Sequence, residues 1–395
     1  MSQQLINRSP DLKQLRDEGY DIEIRSGHLL VKSVPYVNSK KEVRHGTLVT
    51  PLGDVSGDVT HQPSDHTAFF TGEHPCHPDG SLIEQIKHST ETKTLARGVV
   101  VNHMFSAKPK PDGRYRDYQH KMATYAGLIS GPARSIDPAA TAQTCVVAEP
   151  LEDDSPFNYL DSASTRAGIG AVTAKLEGQK IAIVGIGGTG SYVLDLVAKT
   201  PVSEIHLYDG DMFANHNAFR SPGAPSLEEL QERMLKTTYF KERYSKMHRR
   251  IIAHEAFLDE DNVDELRAMD FVFLCLDRGG DKRLIVERLE EWGLSFTDVG
   301  MGVDLAGDVL RGILRVTTST AQKRDHLRKR VPFSEGGVDE NDYSRNIQIA
   351  DLNALNAALA VIKWKKLCGF YQDLEKEHCS AYTINGNCLA NEDQA

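Results

Sequence analysis

From Lys180 onward the chain alternates between short runs that are apolar at every position and longer stretches that are apolar on one face. KIAIVG (180–185) is a continuous β-branched run of the kind found in a strand covered on both faces. SYVLDLVAKT (191–200) reads as a helix, EIHLYDGD (204–211) as a second strand, and Leu227 to Tyr244 as a helix with a charged outer face. FVFLCLD (271–277) is a third buried strand, followed by a helix over Lys282 to Trp292. This alternation predicts a doubly wound, Rossmann-like α/β domain with a parallel sheet. LNALNAALAVIKWKKL (352–367) is apolar on most faces and is expected to be a core or subunit-interface helix. Residues 1 to about 150 are different: rich in His, Pro, Gly and Asp, with β-like runs at His28–Val34 and Gly98–Val101. The stretch 108–118 reads as a turn leading into a helix over Tyr115–Ile129.

The expected organisation is therefore a separate N-terminal α+β domain (1–150) and a second domain (151–395). The second comprises a linker and leading helix (151–178), a core (179–302) and a C-terminal part (303–395), with the linker at the acidic LEDDSPFNY (151–159) and a helical stretch from about Ser162 to Leu176. No internal repeat is visible. A length of 395 residues supports two domains. The net charge of −10 counts against a general nucleic-acid binder. No apolar run approaches the roughly 20 residues that span a bilayer, and the first 21 residues lack the apolar core of a secretory signal. The expected setting is cytoplasmic, with no membrane and no nucleic acid among the partners. The six cysteines form no CxxC pair, so neither a zinc ribbon nor a thioredoxin-type site is signalled.

The candidate chemistry begins where the first strand ends. Gly185, Gly187, Gly188 and Gly190 (GIGGTG) let the backbone turn sharply, and the following helix aims its N-terminal amides at an anion. With Asp209 placed 19 residues beyond Gly190, the motif also fits a dinucleotide fingerprint, so an NAD or FAD site stays open on these two features. The residues that follow favour a triphosphate. Asp209 and Asp211 close the second strand, Asn217 and Arg220 come eight and eleven residues after Asp209, and Lys236 lies on the next helix. Asp277 ends the third strand. Two cations suit the extra phosphate charge, and a carboxylate suits its magnesium.

On GIGGTG, DGDMFANHNAFR, Lys236 and LCLD, the segment from 166 to about 302 resembles the ThiF family. That family includes ubiquitin-activating enzymes and the adenylyltransferases of thiamine and molybdopterin sulfur carriers. The resemblance implies an adenylation domain that uses ATP and Mg2+ to convert a carboxylate to an acyl-adenylate. It implies that Asp209 holds the ribose, that Asn217, Arg220 and Lys236 hold phosphates, and that Asp277 binds magnesium. Arg166 would reach the ATP of a partner subunit in a homodimer. RSPGAPS and the 343–367 region are similar to a bacterial subfamily with an extra N-terminal domain, encoded beside ubiquitin-like proteins and conjugating enzymes. The expected function is activation of the C-terminal tail of a ubiquitin-like protein, in a ubiquitination-like pathway linked to antiphage defence. A peptide-adenylating enzyme of the antibiotic-maturation kind is the nearest alternative. A pure binding module and an NAD-binding Rossmann protein are the others.

Further signals are weaker. His61, His66, His74 and His77, with Asp65, Cys76 and Asp79, contain zinc-ligating types at no standard spacing; solvated loop residues are the default, and His74-Pro75-Cys76-His77 also pairs a thiol with a base. Cys275 is expected as a small apolar core residue. Residues 277–367 contain no cysteine, so the thiol that ubiquitin-activating enzymes use after adenylation is missing from its usual segment. Transfer to another protein's nucleophile is favoured over an oxyester on TTSTAQ (317–322) or a thioester on Cys76, Cys368, Cys379 or Cys388.

Overall fold

The computed structural model describes residues 2–145, 155–159, 161, 163–164, 167–276, 279–333 and 347–394. The chain divides into two compact units, 1–174 and 175–395.

The first unit is a six-stranded antiparallel sheet with helices. Helices α1 (Ser2–Arg8) and α2 (Pro10–Asp17) lead into strands β1 (Ile22–Arg25), β2 (His28–Val37) and β3 (Val43–Pro51). A two-stranded ribbon, β4 (Val55–Ser56) and β5 (Val59–Thr60), precedes β6 (Thr67–Thr71), β7 (Lys87–Ala96) and β8 (Val99–Ser106). The sheet order is β1-β2-β3-β6-β8-β7. The helix expected at 115–129 runs as α3 (Tyr118–Ile136), started by Asp117, whose carboxylate accepts the amide of His120 at 2.7 Å. Its buried Met122, Tyr125, Ala126 and Ile129 recur every three or four residues and pack on Leu29, Val31, Phe70 and Phe105 of the strands.

The second unit holds an eight-stranded sheet in the order β11-β10-β9-β12-β13-β14-β15-β16. Strands β9 (Lys180–Val184), β10 (Glu204–Tyr208), β11 (Ile251–His254), β12 (Phe271–Leu274) and β13 (Ser295–Ala306) pair in parallel. Alternate side chains of the continuous apolar strands feed opposite faces. Ile181, Ile183, Leu207 and Phe273 pack with Val193 and Leu194 of α4 (Gly188–Val197) and with Trp364 of the last helix. Ala182, Val184, Val272 and Leu274 pack with Ile285, Val286 and Leu289, in the helix after β12. Each fully buried Ile, Leu or Phe contributes about 1.5–3 kcal/mol, which explains why these runs carry no polar face.

Three local expectations change. The helix expected over 227–244 divides into a turn at Leu227–Gln231 and α5 (Lys236–Tyr244), with Arg233 at φ +51 in the break. In the stretch expected as a leading helix, the described residues are helical at 163–164, at Gly170–Thr173 and in a 3₁₀ turn at Ala174–Leu176, with Gly168 at φ +66 between the first two. The C-terminal part adds antiparallel strands β14 (Val309–Ser319), β15 (Cys379–Thr383) and β16 (Cys388–Glu392), none of which periodicity signalled. Helix α6 (Gly279–Glu291) follows β12, and α7 (Ala350–Leu367) packs on α4 and on β13 and β14. The buried face of α7 is Asn353, Asn356, Ala357, Ala360, Val361 and Trp364, while Leu355, Ile362 and Leu367 are exposed.

Candidate functional site

One cleft lies at the carboxyl ends of the parallel strands of the second unit, where open α/β sheets hold ligands. It is lined by Gly185, Gly187, Gly188 and Thr189 from the first turn, Asp209 and Asp211 after β10, and Arg220 and Lys236. Phe257, Leu258, Cys275, Gly300, Asn353 and Asn356 complete much of its wall.

The glycines differ in what they do. Gly185 sits at φ +85, and a Cβ there would lie 2.7 Å from the Cys275 carbonyl. A Cβ on Gly190 would lie 1.9 Å from the Gly185 carbonyl, so this glycine sets the approach of α4 to β9. A Cβ on Gly188 would meet the Asn353 side chain at 2.1 Å. A Cβ on Gly187 meets nothing within 4 Å: it would stand in open space beside the cleft.

Asp209 is 5% exposed and organises the loops. Its carboxylate accepts the amides of Ile186 and Asp211, each at 2.8 Å, which ties the glycine turn to the segment after β10. Lys236 is 6% exposed; its ammonium lies 2.7 Å from Asp211 and 3.5 Å from Asp209. It is brought there because its amide donates to the Asp211 carbonyl at 2.9 Å and because Phe213 stacks on Tyr239, with centroids 3.9 Å apart. The loop then turns at Asn215–Ala218, where the Asn217 side-chain oxygen accepts the Ala214 amide at 2.9 Å. That bond fixes the amide orientation and leaves Asn217 Nδ2 buried without a partner. Arg220 Nε is likewise buried and unpartnered. Two buried donors left unsatisfied are costly unless a ligand accepts from them. Burial, then the charges of Arg220 and Lys236, hold the His216 imidazole below its ordinary range, which keeps it neutral in this cationic corner.

The structure thus gathers Gly185, Gly187, Gly188, Asp209, Asp211, Arg220 and Lys236 around one cleft, with Asn217 in the same loop and Gly190 behind the glycine turn, against the Gly185 carbonyl. Asp277 and Arg166 lie outside the described residues. Cys275 packs against the core of this unit, as expected, and, being half-buried just after the last residue of β12, also lines the cleft.

Two residues that periodicity passed over belong to the site. Asn353 and Asn356 on α7 are both 0% exposed. Asn353 accepts from the Thr189 hydroxyl at 2.9 Å and donates to the Arg220 carbonyl at 3.2 Å, clamping the start of α4 to the arginine loop. Asn356 donates to the Gly300 carbonyl at 3.0 Å. The available signal was a pair of asparagines three apart in the otherwise apolar stretch 352–362 of this helix.

In the first unit, Cys76 is fully buried with its thiol on the His74 carbonyl at 3.3 Å, and burial pushes that thiol above its usual range. His66 bonds Ser106 at 3.1 Å, Asp65 takes the Thr67 amide and Asp79 that of Ser81, each at 2.9 Å. Among the described residues, no three His, Cys, Asp or Glu side chains are placed to hold a metal, and no helix is long and apolar enough to cross a membrane.

The parallel sheet, the glycine turn and the cationic cleft define a nucleotide-binding α/β domain. More closely, residues 163–313 match the ThiF family, and residues 10–162 match a domain of unknown function, DUF6791. Among solved structures it is similar to Escherichia coli MccB with MccA-N7isoASN, at 18% identity over 59% of this chain and 71% of that one, with a TM-score of 0.47. E. coli MccB with ATP matches at 19% identity over 57% of this chain and 66% of that one, TM-score 0.44. PaaA matches at 14% identity over 56% and 75%, TM-score 0.44. No curated protein matches the sequence.

Proposed function

We propose that the protein adenylates the C-terminal carboxylate of a polypeptide, foremost the tail of a ubiquitin-like protein, as the activating enzyme of a ubiquitination-like pathway. The observation that carries this reading is the pair of buried, unpartnered donors, Asn217 Nδ2 and Arg220 Nε, in the loop that meets the glycine turn. Arg220, which lines the cleft, and Asn217, in the same loop, are donors of the kind phosphate oxygens accept from, and Gly187 leaves room for a phosphate against the backbone.

In the proposed step, a carboxylate oxygen of the tail attacks the α-phosphorus of ATP. The bond from that phosphorus to the bridging oxygen breaks, and pyrophosphate leaves with the electron pair. The chain supplies alignment and charge rather than covalent chemistry. Asp209 still has lone pairs for ribose hydroxyls after accepting two amides. Lys236 would exchange its bond to Asp211 for phosphate oxygens as pyrophosphate develops. Asp277 is assigned to magnesium, which would offset phosphate charge. A homodimer with Arg166 completing the partner's site, the partition into an N-terminal domain and an adenylation domain, and a role in antiphage defence belong to the same proposal.

The test is ATP–pyrophosphate exchange with candidate tails, using the native chain and Arg220→Ala, Lys236→Ala and Asp277→Ala. Each variant is expected to lower exchange by roughly ten- to 150-fold or more while the fold persists, since a charge-assisted phosphate contact contributes about 1.5–3 kcal/mol. Native exchange in Asp277→Ala would remove the magnesium assignment. Stabilisation by NAD and not by ATP would remove adenylation itself.

A further inference from the structure

Asn356 is a second buried polar group whose hydrogen bonding is half complete. Its Nδ2 donates to the Gly300 carbonyl at 3.0 Å, which fixes the amide orientation, because a carbonyl accepts only from the nitrogen end. Oδ1 therefore faces the other way, and it is buried with no partner. The residue is 0% exposed and lines the cleft together with Val299, Gly300 and Met301. An unpartnered acceptor requires a donor from whatever enters. A carboxylate and the phosphates of ATP have only acceptors to offer.

Position narrows the donor further. Asp209, assigned to the ribose, follows β10, while Gly300 belongs to β13. The order β10-β9-β12-β13 puts three strand spacings, about 14 Å, between them. The phosphate corner at β9 lies between. Asn356 thus stands on the side of the cleft away from the residue assigned to the ribose, beyond the ribose hydroxyls, which leaves the acyl substrate to supply the donor.

We infer that Asn356 is a specificity-determining residue that accepts a hydrogen bond from a backbone amide N–H near the C-terminus of the acyl substrate, so that the site selects peptide carboxylates over simple carboxylic acids. This rests on the adenylation reading above and adds to it the chemical group by which the substrate is recognised.

The test removes the donor from the substrate rather than relying on a variant alone. The probes are a mixture of N-acetylated pentapeptides ending in Gly-Gly and the matching depsipeptides, in which either of the last two amides is an ester. Pyrophosphate exchange is measured with the native chain, Asn356→Leu and Asn356→Asp, and ATP binding by thermal shift. With the native chain, the amide is expected to exceed one of the esters by roughly tenfold or more in kcat/KM, since the ester leaves the acceptor unsatisfied. In Asn356→Leu that preference should fall to about one with ATP binding unchanged, while Asn356→Asp, which retains an acceptor, should keep it. Equal rates for amide and esters in the native chain overturn the inference without any variant having to fold. So does a preference that survives in Asn356→Leu, or exchange with neither probe by a chain that binds ATP. A fall in ATP affinity in Asn356→Leu would instead assign the acceptor to a metal-bound water and overturn it. A native chain that binds no ATP overturns the adenylation reading itself, a distinct result.

Discussion

Replacing Asn353 tests whether the C-terminal helix belongs to the nucleotide site. Its side chain makes two buried bonds, from the Thr189 hydroxyl at 2.9 Å and to the Arg220 carbonyl at 3.2 Å. Asn353→Ala removes both and leaves two polar groups to find other partners. The two bonds contribute about 1 kcal/mol net each, and one partner left unsatisfied adds about 1–3 kcal/mol, so the unfolding free energy should fall by roughly 3–5 kcal/mol. The effect on ATP has a ceiling, because the clamp acts through Arg220. If Arg220 contributes about 1.5–3 kcal/mol to phosphate binding, losing its position weakens ATP roughly ten- to 150-fold. Urea denaturation gives the first quantity and calorimetric titration with ATP the second. Asn353→Asp keeps the acceptor for Thr189 but sets a carboxylate against the Arg220 carbonyl, so it should lose ATP affinity with a smaller stability loss than Asn353→Ala. An Asn353→Ala chain with native ATP affinity would refute the clamp. Native stability together with native affinity would refute the buried geometry as well.

Gly190→Ala forces a Cβ to 1.9 Å from the Gly185 carbonyl and should lower the melting temperature of the second unit sharply, whereas Gly187→Ala, whose Cβ meets nothing within 4 Å, should melt near the native temperature yet lose ATP affinity in titration. Lys121 is 1% exposed on α3, and burial lowers its ammonium to about 8, above which the folded form sheds a proton that the unfolded chain keeps up to its ordinary 10.5. Stability linked to this group should therefore rise by about 2 kcal/mol from pH 7.5 to 9.5 in urea melts of the full chain, and Lys121→Met should flatten that rise. Incubation with magnesium-ATP and a cognate tail should give no thiol-sensitive adduct on Cys76, Cys368, Cys379 or Cys388, as gels with and without reductant would report.

The parallel half of the fold was legible because its strands are covered on both faces and read as uninterrupted apolar runs, such as Ile181–Val184 and Phe271–Leu274. The cleft was legible for a related reason: its glycines and charged residues sit where those strands end. The hairpin of β13 and β14 escaped notice since its outer half is exposed at Leu305, Val309 and Leu310, so apolar positions there follow no burial period. Asn353 and Asn356 were hidden by distance, as their partners Thr189, Arg220 and Gly300 are 56 to 164 residues away in sequence. Nothing local marks an asparagine whose role is long-range. The break between Gln231 and Lys236 was likewise set by tertiary contact, the Phe213 amide bonding the Met234 carbonyl at 2.8 Å.

The fate of an adenylate can be argued from what the chain does not expose. Thr317, Thr318 and Ser319 are buried within β14, and Thr320 pairs with His378 at 3.2 Å, so these hydroxyls are not presented for an acyl transfer. Burial raises the thiols of Cys368 and Cys379 above their usual range, as it does that of Cys76, which disfavours the thiolate that would attack. Cys388 is exposed, but it lies on β16, four strand spacings or about 19 Å across the sheet from β12, whose end opens into the cleft. An acyl-adenylate formed beside Cys275 therefore has, among Cys368, Cys379 and Cys388 of its own unit, no thiol that is both near and ionisable. Cys275 itself follows β12 and lines the cleft, with its backbone carbonyl held against Gly185. On the adenylation reading, handing the acyl group to a nucleophile on a second protein leaves this strand end and the glycine turn in place, and a mixed anhydride is the expected end of this chain's own chemistry.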